Sequence, residues 1–456
     1  MMPAMMPDTK PIPGGWARCI LAGHGAIPPA VMGQIISLFV ATAATAAAST
    51  WTCDDPTGSL ARTLAPVAVD IRLGENEVTA AQQGRLGMVE VGTNPSAPRR
   101  VAVQWQTISA RAKSQGVCLL PPGPMGPRRF ELRAEDPAFA SLVQATQDVA
   151  SGQVEITADG KPVLRYNYRT VEPGAVLAKV TPDNLIYARA RSDYIHPLYG
   201  LKGEVLTRDW SVDHHHHRGI YWAWPEVDFG NERGDLHALQ RVFARPTGKL
   251  KLQSGPVFAQ VEAENQWLWN DHEPIVRELA TIRAYRATAQ GRVVDLTFQF
   301  TALKDGVSIA RRGTDKYGGL NVRLETPKAQ VISFFTSPSN AVPRRAWSDL
   351  CGQFPGASGP SGVMVLQGAQ NPDYPGDWVQ YPELSWCQPT FPAAGTRFTL
   401  RRGSPLELRF RLLIHPGTGL EEALASPTWD AFNASIAPQT TFEIPEIKPA
   451  HEPAAP

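Results

Sequence analysis

Alternation of apolar and polar residues with a period of two is the strongest constraint on this chain. Val294, Leu296, Phe298 and Phe300 alternate with Asp295, Thr297, Gln299 and Thr301. Leu406, Leu408, Phe410, Leu412 and Ile414 follow the same spacing, with Glu407, Arg409 and Arg411 between them. Successive side chains of a strand point to opposite faces, so each run predicts a half-buried strand. Val154-Glu155-Ile156 and Val163 to Tyr168 flank Asp159-Gly160, a pair that favours a tight hairpin turn. Val67 to Leu73 and Val101 to Thr107 repeat the pattern nearer the N-terminus. The 38 Gly and 41 Pro suit short strands joined by turns. The fold expected is mostly β: a large antiparallel β-sandwich preceded by a small β-sandwich domain. Helical signals are few. Asp136-Pro137 predicts a helix running to Ala150, and Leu420 to Ser426 a shorter one. No repeat of fixed period supports a propeller or solenoid.

Residues 1–48 read as an export signal. Val31 to Ala48 is an uncharged run that ends in Ala46 and Ala48, a small-residue cleavage pattern before Ser49. An uncleaved anchor is the alternative, and it fits less well because the run turns to Ala and Thr after Val40. The expectation is an exported protein, periplasmic or extracellular, with no membrane span in the mature chain. A Pro-rich stretch from Pro121 to Pro127 suggests a division between a small domain at 49–150 and a main domain at 151–435, before a Pro-rich tail at 436–456. Lys plus Arg (44) balances Asp plus Glu (43), which gives no electrostatic case for a nucleic-acid partner. Beyond the signal, Cys53, Cys118, Cys351 and Cys387 permit zero, one or two disulfides, and none has the C-x-x-C spacing of a zinc knuckle.

The segment Ser192 to Leu239 concentrates chemistry. It carries six of the ten histidines, and four aromatics fall between Trp210 and Trp224. At its centre stands Asp213-His214-His215-His216-His217-Arg218-Gly219. In a strand, His214 and His216 would face one side and His215 and His217 the other. An H-x-H pair can begin a divalent metal site, with His196, Asp213, Glu226 or Asp228 as a third ligand. In the other reading an imidazole is a general acid or base, oriented by Asp213, while Arg218 binds an anionic group. A solvated histidine run with no chemistry is the plain alternative. Spacing alone leaves the metal undecided.

This segment resembles a family of bacterial proteins called PmoA-like and labelled methane oxygenase. The resemblance rests on His196-Pro197-Leu198-Tyr199-Gly200, Gly203, Thr207-Arg208-Asp209, Asp213-His214, His216-His217-Arg218-Gly219 and Tyr221-Trp222. Asp315 to Leu320 with Arg323, and Arg345 to Gly352 around Trp347, extend it, so that it covers roughly residues 151–420. The sequence departs from the pattern at His215, Tyr317 and Ala369 to Pro372. The membrane methane monooxygenase needs spanning helices, which the chain lacks after residue 50. What the resemblance implies is carbohydrate chemistry on a mutarotase-like supersandwich.

The expected catalytic residues are therefore His214, His216, His217 and Asp213, with His215 a bystander. The expected substrate-binding residues are His196, Arg208, Arg218, Trp222, Lys316, Arg323 and Trp347. Aromatic platforms hold sugar faces, and Trp210, Tyr221, Trp222, Trp224, Trp378 and Trp386 are the candidates. Trp267 and Trp269 read as core, and His272 and His415 as structural. The partner expected is a small-molecule or oligosaccharide ligand, and the cofactor is left open as a divalent metal at the histidine cluster. A non-catalytic sugar-binding protein and a metal-dependent oxidoreductase are the alternative functions.

Overall fold

The alternating runs do form strands, and they pair with each other. In the computed structural model, Arg292–Ala302 lies antiparallel to Leu406–Pro416, with Leu296 opposite Phe410 and Phe298 opposite Leu408. Both belong to an eight-stranded sheet. Their apolar residues are buried while Gln299 and Glu407 reach solvent, as the period requires. The structure describes residues 49–55, 65–92, 99–121, 123, 126–135, 138–334, 346–420 and 422–434. The export signal at 1–48, the tail at 436–456 and Arg345 lie outside these residues.

A six-stranded sheet faces the eight-stranded one. It is built from Gln153–Ala158 and Lys161–Asn167, joined by the Asp159-Gly160 turn, and continues through Tyr194–Leu198, Ile220–Ala223 and Gly319–Val322. Asp159 and Gly160 both take positive φ (50° and 74°), the backbone twist that a two-residue hairpin needs. One continuous core fills the space between the sheets, from Ile156 and Leu164 on one side to Val261, Leu296 and Leu412 on the other. The main body is thus an antiparallel β-sandwich.

The helix expected over 136–150 is replaced by a strand, Val143–Asp148, at the edge of the six-stranded sheet. Its residues pair in register with Gln153–Ala158. Val143 is fully buried in the core between the sheets, and the polar residues that follow it suit an edge position. The short helix expected near 420 is present as Glu422–Ala434.

A second, smaller core lies toward the N-terminus, between a four-stranded sheet and a three-stranded sheet, with Val69, Met88, Phe130 and Leu132 at its centre. Cys53, Cys118, Cys351 and Cys387 are buried thiols with no disulfide between them. No helix among the described residues is long and apolar enough to cross a membrane.

Candidate functional site

The strand pair Ile220–Ala223 and Gly319–Val322 sets the geometry of the site. Ile220 lies opposite Val322, so the loop before one strand and the residue after the other emerge together. Arg323 therefore reaches the histidine loop. Its Nη2 donates to Asp213 Oδ2 at 2.8 Å and to Ser211 Oγ at 3.0 Å. The loop is pinched shut by a bridge between Asp209 and Arg218.

Inside that loop the histidines turn. His214 N–H donates to the Ser211 carbonyl (3.1 Å) and His217 N–H to the His214 carbonyl (2.9 Å). The strand alternation expected of the run does not occur, and His214, His216 and His217 gather on one side. The His214 and His217 rings stack at 4.7 Å, and those of His216 and His217 meet edge-on at 4.8 Å. A further imidazole, His237, joins them from beyond the Glu232–Gly234 strand, 4.5 Å from the His216 ring and 5.2 Å from that of His217.

These rings floor a cleft of about 430 Å³. Its walls are Tyr187, Tyr317, Tyr381 and Trp386, with Arg312 at one side. Trp386 stacks on Tyr381 (5.0 Å) and presents an edge to His217 (4.8 Å). Arg312 Nη2 donates to Asp235 Oδ2 at 2.6 Å, and its Nε to the Tyr317 hydroxyl at 3.3 Å.

Burial governs the protonation of the floor. It pushes His216 down to about 3, helped by the charges of His214 and Arg191. It holds His217 and His237 well below the usual imidazole range, and each neighbouring imidazole adds to the effect. All three rings are neutral at neutral pH. Asp213 behaves oppositely. Burial opposes its ionisation, but the Ser211 hydrogen bond and the Arg323 guanidinium override that and hold the carboxyl well below its usual range. His214 Nδ1 lies 3.2 Å from this carboxylate, at the cleft mouth.

Of the residues expected at the site, the structure brings Asp213, His214, His216 and His217 to the cleft, with Arg323 behind Asp213. His215 also lines it. The others lie elsewhere. Arg218 is fully buried, bonded to Asp209 and Tyr194 and packed 3.6 Å over the Trp210 ring, so its guanidinium braces the loop from behind. His196 faces Thr207, 3.0 Å from its hydroxyl, and Arg208 joins the Arg323 backbone through its N–H. Trp222 stacks on Trp224 at 4.5 Å against Phe298 and Phe300 in the sandwich core. Trp347 is buried beside Met364 and Leu366. Lys316 is exposed and lies outside the cleft lining. Glu226 and Asp228, considered as metal ligands, are tied to Arg233 and Arg397.

Among the aromatic candidates, Trp386 lines the cleft and Tyr221 lies just behind it, bonded to His237. Trp267 sits in the core, as read. His415 pairs with buried Asp349 at 2.9 Å. Sequence reasoning missed His237, Tyr187, Tyr317, Tyr381 and Arg312. His237 lay within the dense segment, 20 positions beyond His217, and its presence there was the available signal. Tyr317 lay inside the Asp315 to Leu320 motif, at a position that departs from the pattern, and Tyr187, Tyr381 and Arg312 arrive from other loops with no local motif.

Fold and site together define a β-sandwich protein with a histidine-floored, aromatic-walled cleft. Residues 153–429 match the model of a family of unknown function, DUF6807, and the chain belongs to that family. The matched stretch contains every residue of the cleft and excludes the small N-terminal sandwich. No curated protein matches the chain.

Proposed function

We propose that this is an exported carbohydrate-active protein and that the histidine cleft is its sugar site. The observation that carries the reading is the pairing of stacked aromatic faces with fixed polar groups. Tyr381, half-buried and backed by the buried Trp386, offers an apolar ring face, while Asp213, His214 and Arg312 supply hydrogen-bonding groups around it. Sugar rings have the same division, an apolar face bordered by hydroxyls. A volume of about 430 Å³ suits a mono- or disaccharide. The Val31 to Ala48 run supports export, and the resemblance to PmoA-like proteins supports a sugar ligand.

The ionised Asp213 carboxylate accepts hydroxyl hydrogens, and Arg323 holds it in place. The half-buried His216 and the buried His217, both neutral, are weak proton donors at neutral pH, which counts against them as general acids. A second reading, metal-dependent chemistry in the same cleft, is favoured by the convergence of His216, His217 and His237.

Calorimetric titration of tag-free protein with neutral and acidic mono- and disaccharides tests the sugar reading. At least one sugar should bind. Trp386→Ala should weaken that binding tenfold or more, while His272→Ala, on an exposed turn, should leave it unchanged. A wild-type protein that binds none of the sugars, or equal binding by Trp386→Ala, overturns it. Product analysis by NMR on the bound sugar then separates an enzyme from a binding protein.

A further inference from the structure

We propose that His216, His217 and His237 form a binding site for one first-row transition-metal ion, held through three imidazole nitrogens with its remaining coordination position open to the cleft. The proposal goes beyond the sugar reading and does not depend on it.

Convergence is the first argument. One ring nitrogen from each of the three histidines lies within 4.8 Å of the others. Metal–nitrogen bonds of about 2.0–2.1 Å place tetrahedral ligand atoms about 3.4 Å apart. Closing the gap takes a shift of at most about 1.4 Å (4.8 − 3.4) between any two of the ligand nitrogens.

Unmet hydrogen bonding is the second. A neutral imidazole carries one N–H donor and one acceptor nitrogen. His217 is fully buried, yet neither of its ring nitrogens has a hydrogen-bond partner, and the same holds for His216 Nδ1. Buried polar atoms ordinarily find partners, so an inward-facing, unpartnered imidazole beside two others marks a place for a ligand.

The third argument is the orientation of His237. Its Nδ1 lies 3.1 Å from the Tyr221 hydroxyl, and the two rings stack at 5.8 Å. Engaging Nδ1 leaves Nε2 as the ligating nitrogen, the usual outer-shell arrangement for a metal-binding histidine. Arg191 secures this from behind. Its guanidinium sits 4.4 Å over the Tyr221 ring and donates to the Leu236 and His237 carbonyls. Tyr221 is thus a positioning residue.

The donor set selects the metal class. Three neutral nitrogens suit zinc, copper, nickel or iron, whereas magnesium and calcium require oxygen ligands. Asp235 pairs with Arg312 at 2.6 Å and Asp213 with Arg323 at 2.8 Å beside the three rings. The open side leads past Trp386 and Tyr317, where a cleft ligand would meet the ion.

The test uses full-length protein without a histidine tag, stripped by chelator and titrated with Zn2+ and Co2+. Wild type should take up one equivalent of each, and bound Co2+ should develop the visible absorption of a nitrogen-coordinated ion. His237→Ala and His217→Ala should lose at least 100-fold in Zn2+ affinity, and Tyr221→Phe about tenfold. His272→Ala and a Mg2+ titration serve as controls, the first unchanged and the second silent. Circular dichroism confirms folding of each variant, and His237→Gln replaces any that does not fold. Absence of stoichiometric Zn2+ or Co2+ uptake by wild type overturns the proposal, as does an unchanged affinity in His237→Ala or His237→Gln. Sugar titration of the stripped protein is read separately, so failure of one reading leaves the other intact.

Discussion

At the residue scale, two buried carboxyl groups, Asp193 and Glu278, share a dry space. Asp193 and Glu278 are both buried, and burial together with each other's charge drives Glu278 well above the usual carboxyl range. Tyr166 donates to Asp193 (2.8 Å), Asn265 to the Tyr166 hydroxyl (3.0 Å) and Trp267 to Glu278 (2.7 Å). Glu278 is thus protonated in the folded protein and ionised when unfolded at neutral pH. Its contribution to stability is complete below the ordinary value of 4.5 and is lost as pH rises toward its folded value. Glu278→Gln mimics the protonated acid and cannot ionise. We expect it to exceed wild type by about 1–3 kcal/mol at pH 8 and by less at pH 5. Urea unfolding at the two pH values measures this, and an equal difference at both would refute it. None of this network was legible in the sequence. Asp193 and Glu278 are 85 positions apart, and only the packing of one sheet on the other brings them together.

At the element scale, the histidine loop depends on one glycine. Gly219 follows Arg218 with φ of +69°, and a Cβ there would lie 2.3 Å from the Ile195 carbonyl oxygen. Both the left-handed conformation and the close approach of the Tyr194–Leu198 strand exclude a side chain. Gly219→Ala should cost about 2–4 kcal/mol and should push the loop off the cleft. Thermal unfolding and Zn2+ affinity should fall together; an unchanged melting temperature would contradict the argument. The same loop shows where sequence reading stops. Period-two reasoning placed Leu406 to Ile414 correctly because those residues are extended and half-buried. It separated His216 from His217 wrongly because it assumes an extended chain, and this run turns. The helix expected at 136–150 failed for a related reason. Phe139, Leu142 and Val143 have helical spacing, yet Val143 is anchored in the sandwich core and the residues after it pair with the Gln153–Ala158 strand.

At the scale of the whole molecule, the two sandwiches are joined by a shared apolar cluster and by one buried side chain that bonds across. Gln104 belongs to the small sandwich and is buried. Its Oε1 accepts the backbone N–H groups of Val257 (3.1 Å) and Phe258 (2.9 Å), where the Phe258–Trp269 strand of the main sandwich begins. Val117 of the small unit also packs with Val257, Phe258 and Tyr285. Replacing Gln104 by Met keeps most of the volume and removes the acceptor, leaving two backbone donors unsatisfied. A buried donor without a partner costs about 1–3 kcal/mol, so Gln104→Met should lower the urea midpoint measurably. The cleft lies wholly within the main sandwich, so ligand and metal affinities should be unchanged in folded Gln104→Met. A midpoint equal to wild type would show that the apolar contacts around Val117 suffice. Weakened cleft binding would show that the small sandwich shapes the site as well as resting against it.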